Sequence, residues 1–291
     1  MARPVCLYCG AALPAEVVAA AAESASLVTA PSAPPPPQGA WTGALVVVDQ
    51  SSGDAARLGD ALGLVPYEAA LRHRRGGYAL EGVFAPAAAE EEAARLRAAG
   101  LAVFLVSESL ARAEPLVAHA GRREKEGLRL RGASGPWEVA ASHLLLVVRG
   151  PIVRQYQAPL EQRKIRTARL EDGYRFHLHL RSSPVPLELD PGDFDFGAQA
   201  PLSGSSILEM SAWIESVAQG TPVDDAFRHS TPALGPTTAR PSGPTAAAAA
   251  LSGKDPGKRD HAGGAVHDNL RQFRFYSSWR GAVERARMEQ P

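Results

Sequence analysis

Three groups of residues have the types and spacing to do chemistry. The first is Cys6-Leu7-Tyr8-Cys9-Gly10. A C-x-x-C-G turn brings two thiols to one point and aims backbone amides at the sulfurs, which supplies half of a structural zinc site. A closed tetrahedral site needs four ligands, and the chain has only these 2 cysteines. Three outcomes follow: a remnant without metal, a zinc completed by histidines or shared through four thiolates across a homodimer, or a thiol redox pair. Zinc is the one cofactor this pattern suggests, and its site, Cys6 and Cys9, is incomplete.

The second group lies in Gly173 to Arg181, GYRFHLHLR. Alternation puts Tyr174, Phe176, Leu178 and Leu180 on one face of a strand, and Arg175, His177, His179 and Arg181 on the other. Two histidines two apart can clamp a metal, but the pattern also fits the polar side of a half-exposed strand, which is the expectation taken here. The third group is the basic stretch 149–181. Arg149, Arg154, Arg163, Lys164, Arg166 and Arg169 are its candidate contacts to an anionic head group or a phosphorylated residue. The acidic run Glu188, Asp190, Asp193 and Asp195 follows closely and can pair with it. Its DPGDFD segment lacks the spacing of a calcium loop.

No phosphate-binding loop, dinucleotide fingerprint, H-E-x-x-H or G-x-S-x-G is present, so the expectation is a chain that binds rather than one that catalyses. Charge is balanced at 31 basic and 31 acidic residues. That removes the global electrostatic footprint of a nucleic-acid binder. Two cysteines, no apolar leader at the N-terminus and no apolar run near the roughly 20 residues needed to cross a bilayer point to a reduced, cytoplasmic setting.

The elements that must position these residues fall into modules. Residues 1–24 hold the cysteine knuckle and a short alanine-rich helix, and 25–42 contain the proline-rich spacer APSAPPPPQG. Over 43–108 the order is β-α-α-β-α-β. Asp54 opens the first helix and Gly63 closes it; Pro66 opens a second with Tyr67, Ala70 and Leu71 expected inward; Pro86 opens a third carrying Ala89, Ala93 and Leu96. A charged connector is expected over 109–126. Antiparallel strands follow through 127–220 and end in a helix capped by Ser206 and Glu209. Residues 221–266 form a Pro/Ala/Gly/Ser-rich linker, expected to be disordered. Finally, 267–288 is an amphipathic helix with Leu270, Phe273, Tyr276, Trp279 and Val283 on one stripe. Phe273, Tyr276 and Trp279 are the candidate partner-binding residues; the same stripe can instead fold back on the chain's own sheet.

Three resemblances accompany these patterns. GDALGLVPYEAALRHRRGG followed by AAAEEEAARLRAAGLAVFLV resembles the C-terminal domain of the ribosomal stalk protein and the related adaptor fold of the protease partner ClpS, which implies a protein-binding module. The stalk domain's lysines are arginines here, so no factor-binding residue carries over. The strands of 127–220 with their closing helix resemble a pleckstrin-homology domain, and C-x-x-C-G resembles half a zinc ribbon. The fold class expected is multi-domain α+β, a small sandwich plus an antiparallel barrel. The function expected is a cytosolic adaptor or scaffold for protein partners. The alternatives are a peripheral membrane or anionic-ligand binder and a C-x-x-C redox protein.

Overall fold

Strand β1 (Ala44–Asp49) is apolar on both sides, ALVVV, because both of its faces are covered. A computed structural model describes residues 41–160, 164–170, 173–197, 206–236 and 265–289. It is an α+β fold. β1 is the centre of a three-stranded sheet, order β2-β1-β3, with β2 at Tyr78–Phe84 and β3 at Val103–Ser107. Helices α1 (Ala55–Leu62), α2 (Pro66–Arg75) and α3 (Pro86–Ala98) lie between these strands in the chain. The local signals act as expected: the Asp54 carboxylate accepts from Arg57 N–H at 2.9 Å, and Gly63 takes the left-handed conformation that ends α1. Val46 and Val48 pack with Leu58, Ala89, Ala93 and Leu96 on one side of the sheet.

Helix α2 departs from expectation. Tyr67, Ala70 and Leu71, expected inward, face solvent, while Ala69 is buried. The reason is a close helix crossing. Gly59 of α1 lies so near α2 that a Cβ built on it would sit 3.1 Å from Ala69 Cβ. Small residues let the two backbones approach, and the larger apolar residues are turned away from that contact.

The second sheet has seven strands, order β12-β7-β10-β11-β4-β5-β6. Its members are β4 (Leu116–Glu124), β5 (Gly127–Gly132), β6 (Gly135–Ala140), β7 (Leu144–Ile152), β10 (Gly173–Leu180), β11 (Ser183–Leu189) and β12 (Val223–Asp224). Two neighbouring pairs, β11 with β4 and β12 with β7, are parallel; the others are antiparallel. The expected connector over 109–126 therefore contains a full strand, after the short helix α4 (Glu108–Ala111). Its charged residues hid it: sheet pairing uses backbone groups, and Arg122, Arg123 and Glu124 keep their side chains exposed. Part of the expected linker is ordered too, as β12, a 3₁₀ turn at Ala226–His229 and β13 (Gly235–Pro236). Strands β8 (Arg154–Leu160), β9 (Lys164–Arg169) and β14 (Ala265–Asp268) complete a smaller sheet, order β13-β14-β8-β9.

Helix α5 (Ser206–Glu215) covers one face of the seven-stranded sheet, with Met210 and Ile214 packed on Leu130, Phe176, Leu178 and Leu187. Helix α6 (Leu270–Glu289) covers the other. Leu270 and Phe273 pack there with Leu146, Val148, Ile152 and Phe227. Further along, Trp279 and Val283 pack on Leu45, Val47, Phe104 and Val106, the face of the small sheet away from α1 and α3. Tyr276 touches both clusters. The stripe read as one face is thus divided between two sheets, and α6 is the layer they share. The described residues belong to one compact unit, Trp41–Pro291. No described helix is long and apolar enough to cross a membrane.

Candidate functional site

Strand β10 places His177 and His179 on the face that α6 covers, opposite Val148 and Leu146 of β7. The half-exposed polar face expected of this strand is in fact sealed: His177 and Ser277 are 0% exposed and His179 is 1% exposed. Period-two alternation reported the two faces correctly, but not that a distant helix would bury the polar one.

Ser277 Oγ lies 2.9 Å from His177 Nδ1 and 2.8 Å from His179 Nε2. On its other side, His177 Nε2 is 3.0 Å from Glu188 Oε2. Arg274 grips the same carboxylate with both prongs, Nε to Oε2 at 2.7 Å and Nη2 to Oε1 at 2.8 Å. It also reaches Glu114 at 2.8 Å. These contacts assign the protons. An ionised carboxylate only accepts, so His177 donates from Nε2, and with its buried ring neutral it accepts at Nδ1. Ser277 must then donate to His177, which leaves its oxygen to accept from His179 Nε2–H. Both imidazoles are neutral in this arrangement.

The electrostatics agree with that assignment. Burial lowers the pKa of His177 against the opposing pull of Glu188. Burial lowers His179 much further, helped by His177, Arg280 and Arg285, with no carboxylate among the causes. Burial alone would raise Glu188, but the bonds from Arg274 and His177 outweigh it and hold the carboxyl well below its usual range. Beside this seam, Arg175 pairs with Asp190 at 2.5 Å. Burial lowers the Arg175 pKa and raises that of Asp190. A second polar node ties α6 to β12: Tyr276 O–H donates to Asp224 at 2.9 Å and Arg280 Nε donates to it at 2.6 Å. The Arg280 guanidinium lies 4.3 Å over the Tyr78 ring of the small sheet.

Glu188, His177 and Ser277 stand in the order of an acid–base–nucleophile relay. The hydroxyl, however, is enclosed by α6 and β10 and is engaged by both imidazoles. A substrate carbonyl has no route to it. What the arrangement does is fasten a helix to a sheet through a buried hydrogen-bonded network.

The other expected sites fare differently. Phe273 and Trp279 are buried and Tyr276 is half-buried, all within their own chain, so they are not the free partner surface considered for them. Arg149 is engaged by Glu215 at 3.0 Å and by Ser211. Arg154 stands 3.3 Å from the position of a Cβ on Gly173. Lys164, Arg166 and Arg169 belong to β9 by their backbone. Arg163, Cys6 and Cys9 lie outside the described residues. Among the described residues, no group of three or more His, Cys, Asp or Glu is placed to hold a metal ion. The Ser277–Glu188–Arg274 part of the seam went unread, because its members are up to 89 positions apart in the chain and no local pattern joins them. Compared with known proteins, the chain matches no family model, no curated protein and no solved structure.

Proposed function

We propose that the protein is a non-enzymatic adaptor that binds protein partners through the outward face of α2. The observation that carries this reading is the exposure of that face: Tyr67 is 77% exposed and Leu71 37%, with Val65 also exposed beside them. Tyr67, Ala70, Leu71 and Arg74 follow i, i+3, i+4, i+7 spacing, so they form one stripe, and all four are exposed. An apolar patch ending in arginines, with Arg72, His73, Arg74 and Arg75 in the last turn, suits a partner segment with apolar anchors followed by carboxylates. The likeness of this β-α-α-β-α-β unit to the stalk and ClpS-like adaptor modules supports the same reading. In it, the larger sheet with α5 is a pleckstrin-like scaffold and the cysteine knuckle is a separate element, with or without zinc. The setting we assign is the cytoplasm.

The test uses the full chain. A photo-crosslinking amino acid at Tyr67 should give discrete adducts with partner proteins, whereas the same group at Glu90, exposed on α3, should give none. The double variant Tyr67→Glu/Leu71→Glu should lose those partners while its stability stays within about 0.5 kcal/mol, as for other exposed substitutions. Undiminished recovery of the same partners by the double variant would exclude this face.

A further inference from the structure

The seven-stranded sheet carries a second feature, separate from α2 and from the seam beneath α6. After Ala118, β4 parts from β11 and takes a new neighbour: Gly121 N–H donates to Asp195 O at 3.0 Å, and Asp195 N–H donates to His119 O at 2.9 Å. A cleft of about 480 Å³ opens along this junction, within the size range of small-molecule sites. Ala120, Pro136 and Phe196 contribute apolar surface to its walls. Its charged lining is three arginines, Arg122, Arg129 and Arg131, against the single carboxylate of Asp195. That carboxylate is occupied by the N–H of Gly197 at 2.8 Å.

The three arginines are not equivalent. Arg122 and Arg129 share Glu124, each at 3.2 Å, and Arg129 also pairs with Glu138. Glu124 and Glu138 are not part of the lining, so they steady two guanidinium groups at the rim. Arg131, two residues along the same face of β5 from Arg129, is exposed and has no carboxylate partner among the described residues. An apolar cavity with one uncompensated guanidinium at its edge is complementary to a small anion carried on an apolar body.

We propose that the cleft between β4, β5 and residues 195–197 binds a small carboxylate with an apolar tail, its carboxylate held by Arg131 and its tail lying against Ala120, Pro136 and Phe196. Titrating the full chain with decanoate in a calorimeter, below the concentration at which decanoate forms micelles, tests this. Saturable one-to-one binding is expected, with no binding of decyltrimethylammonium, which carries the same tail and the opposite charge. Arg131→Gln should weaken decanoate by about tenfold, the scale of one hydrogen bond to a charged group. Arg57→Gln, an exposed arginine on α1, should leave it within about twofold. Absence of saturable decanoate binding, equal binding of the cation, or an unchanged affinity in Arg131→Gln would each overturn the proposal. Arg131-dependent attachment to vesicles of phosphatidylglycerol without binding of free decanoate would also overturn it, by making the arginines a membrane contact.

Discussion

Ser277 is held between two imidazoles that must both stay neutral, and this makes the seam sensitive to acid. The ordinary imidazole pKa is 6.5, and in the fold both His177 and His179 lie below it. As pH falls through 6.5, the unfolded chain takes up protons that the folded chain refuses. Stability is therefore fully present above that value and lost as pH falls below it. The groups facing the pair are Glu188 on β11, Arg175 on β10, and Arg274, Arg280 and Arg285 on α6. Of these only Glu188 favours protonation, and it does so for His177 alone. Two such groups predict stability that falls progressively between pH 7 and pH 5, read from urea unfolding at each pH. A flat profile would mean that the imidazoles are not buried neutral. A neighbouring residue gives a sharper steric test. Gly281 lies in the middle of α6, where alanine is ordinarily about 1 kcal/mol more favourable. Here a Cβ would sit 2.1 Å from His179 Nδ1. Gly281→Ala should thus destabilise the protein, by about 1–3 kcal/mol in urea unfolding.

At the level of elements, α6 decides whether two sheets are covered or bare. Phe273, Leu270, Trp279 and Val283 are all buried by it, two against each sheet. Deleting 265–289 would uncover Leu146, Val148 and Ile152 on one sheet and Leu45, Val47 and Phe104 on the other. It would also take Arg274 from Glu188 and Arg280 from Asp224. We expect the truncated chain to lose its cooperative thermal transition and to bind a hydrophobic dye strongly; retention of the full-length transition temperature would show that α6 is only an appendage. Much of this element was legible beforehand: its length, its aromatic stripe and the option of folding back onto the chain's own sheet. Its division of labour was not. Leu270 to Val283 read as one stripe because helical periodicity records direction around an axis and carries no information about how many surfaces lie there.

For the molecule as a whole, the layers run from α1 and α3 through the small sheet, α6 and the large sheet to α5. Because the central layer is a single helix with partners on both sides, neither sheet can lose it without exposing the other. Unfolding should accordingly be one transition, with far-ultraviolet dichroism and tryptophan fluorescence coincident across a urea series. Trp279 reports from the small sheet and Trp213 from the α5 side of the large one. Two resolved steps would show that the sheets are energetically independent modules.

The order β-α-α-β-α-β, its caps at Asp54 and Gly63, and the alternation of GYRFHLHLR were determined by local chemistry, which is why they were readable from sequence. Capping, glycine turns and side-chain period depend on residues within about four positions of each other. The charged strand β4, the outward turn of Tyr67 and Leu71, and the meeting of His177, Glu188 and Ser277 were decided only by tertiary structure. Each depends on a packing partner outside that local window: β11 for β4, the Gly59–Ala69 approach for α2, and α6 for the histidines. Whether a polar residue faces water or a buried partner is a property of what packs over it, and that partner here arrives 98 residues after His179.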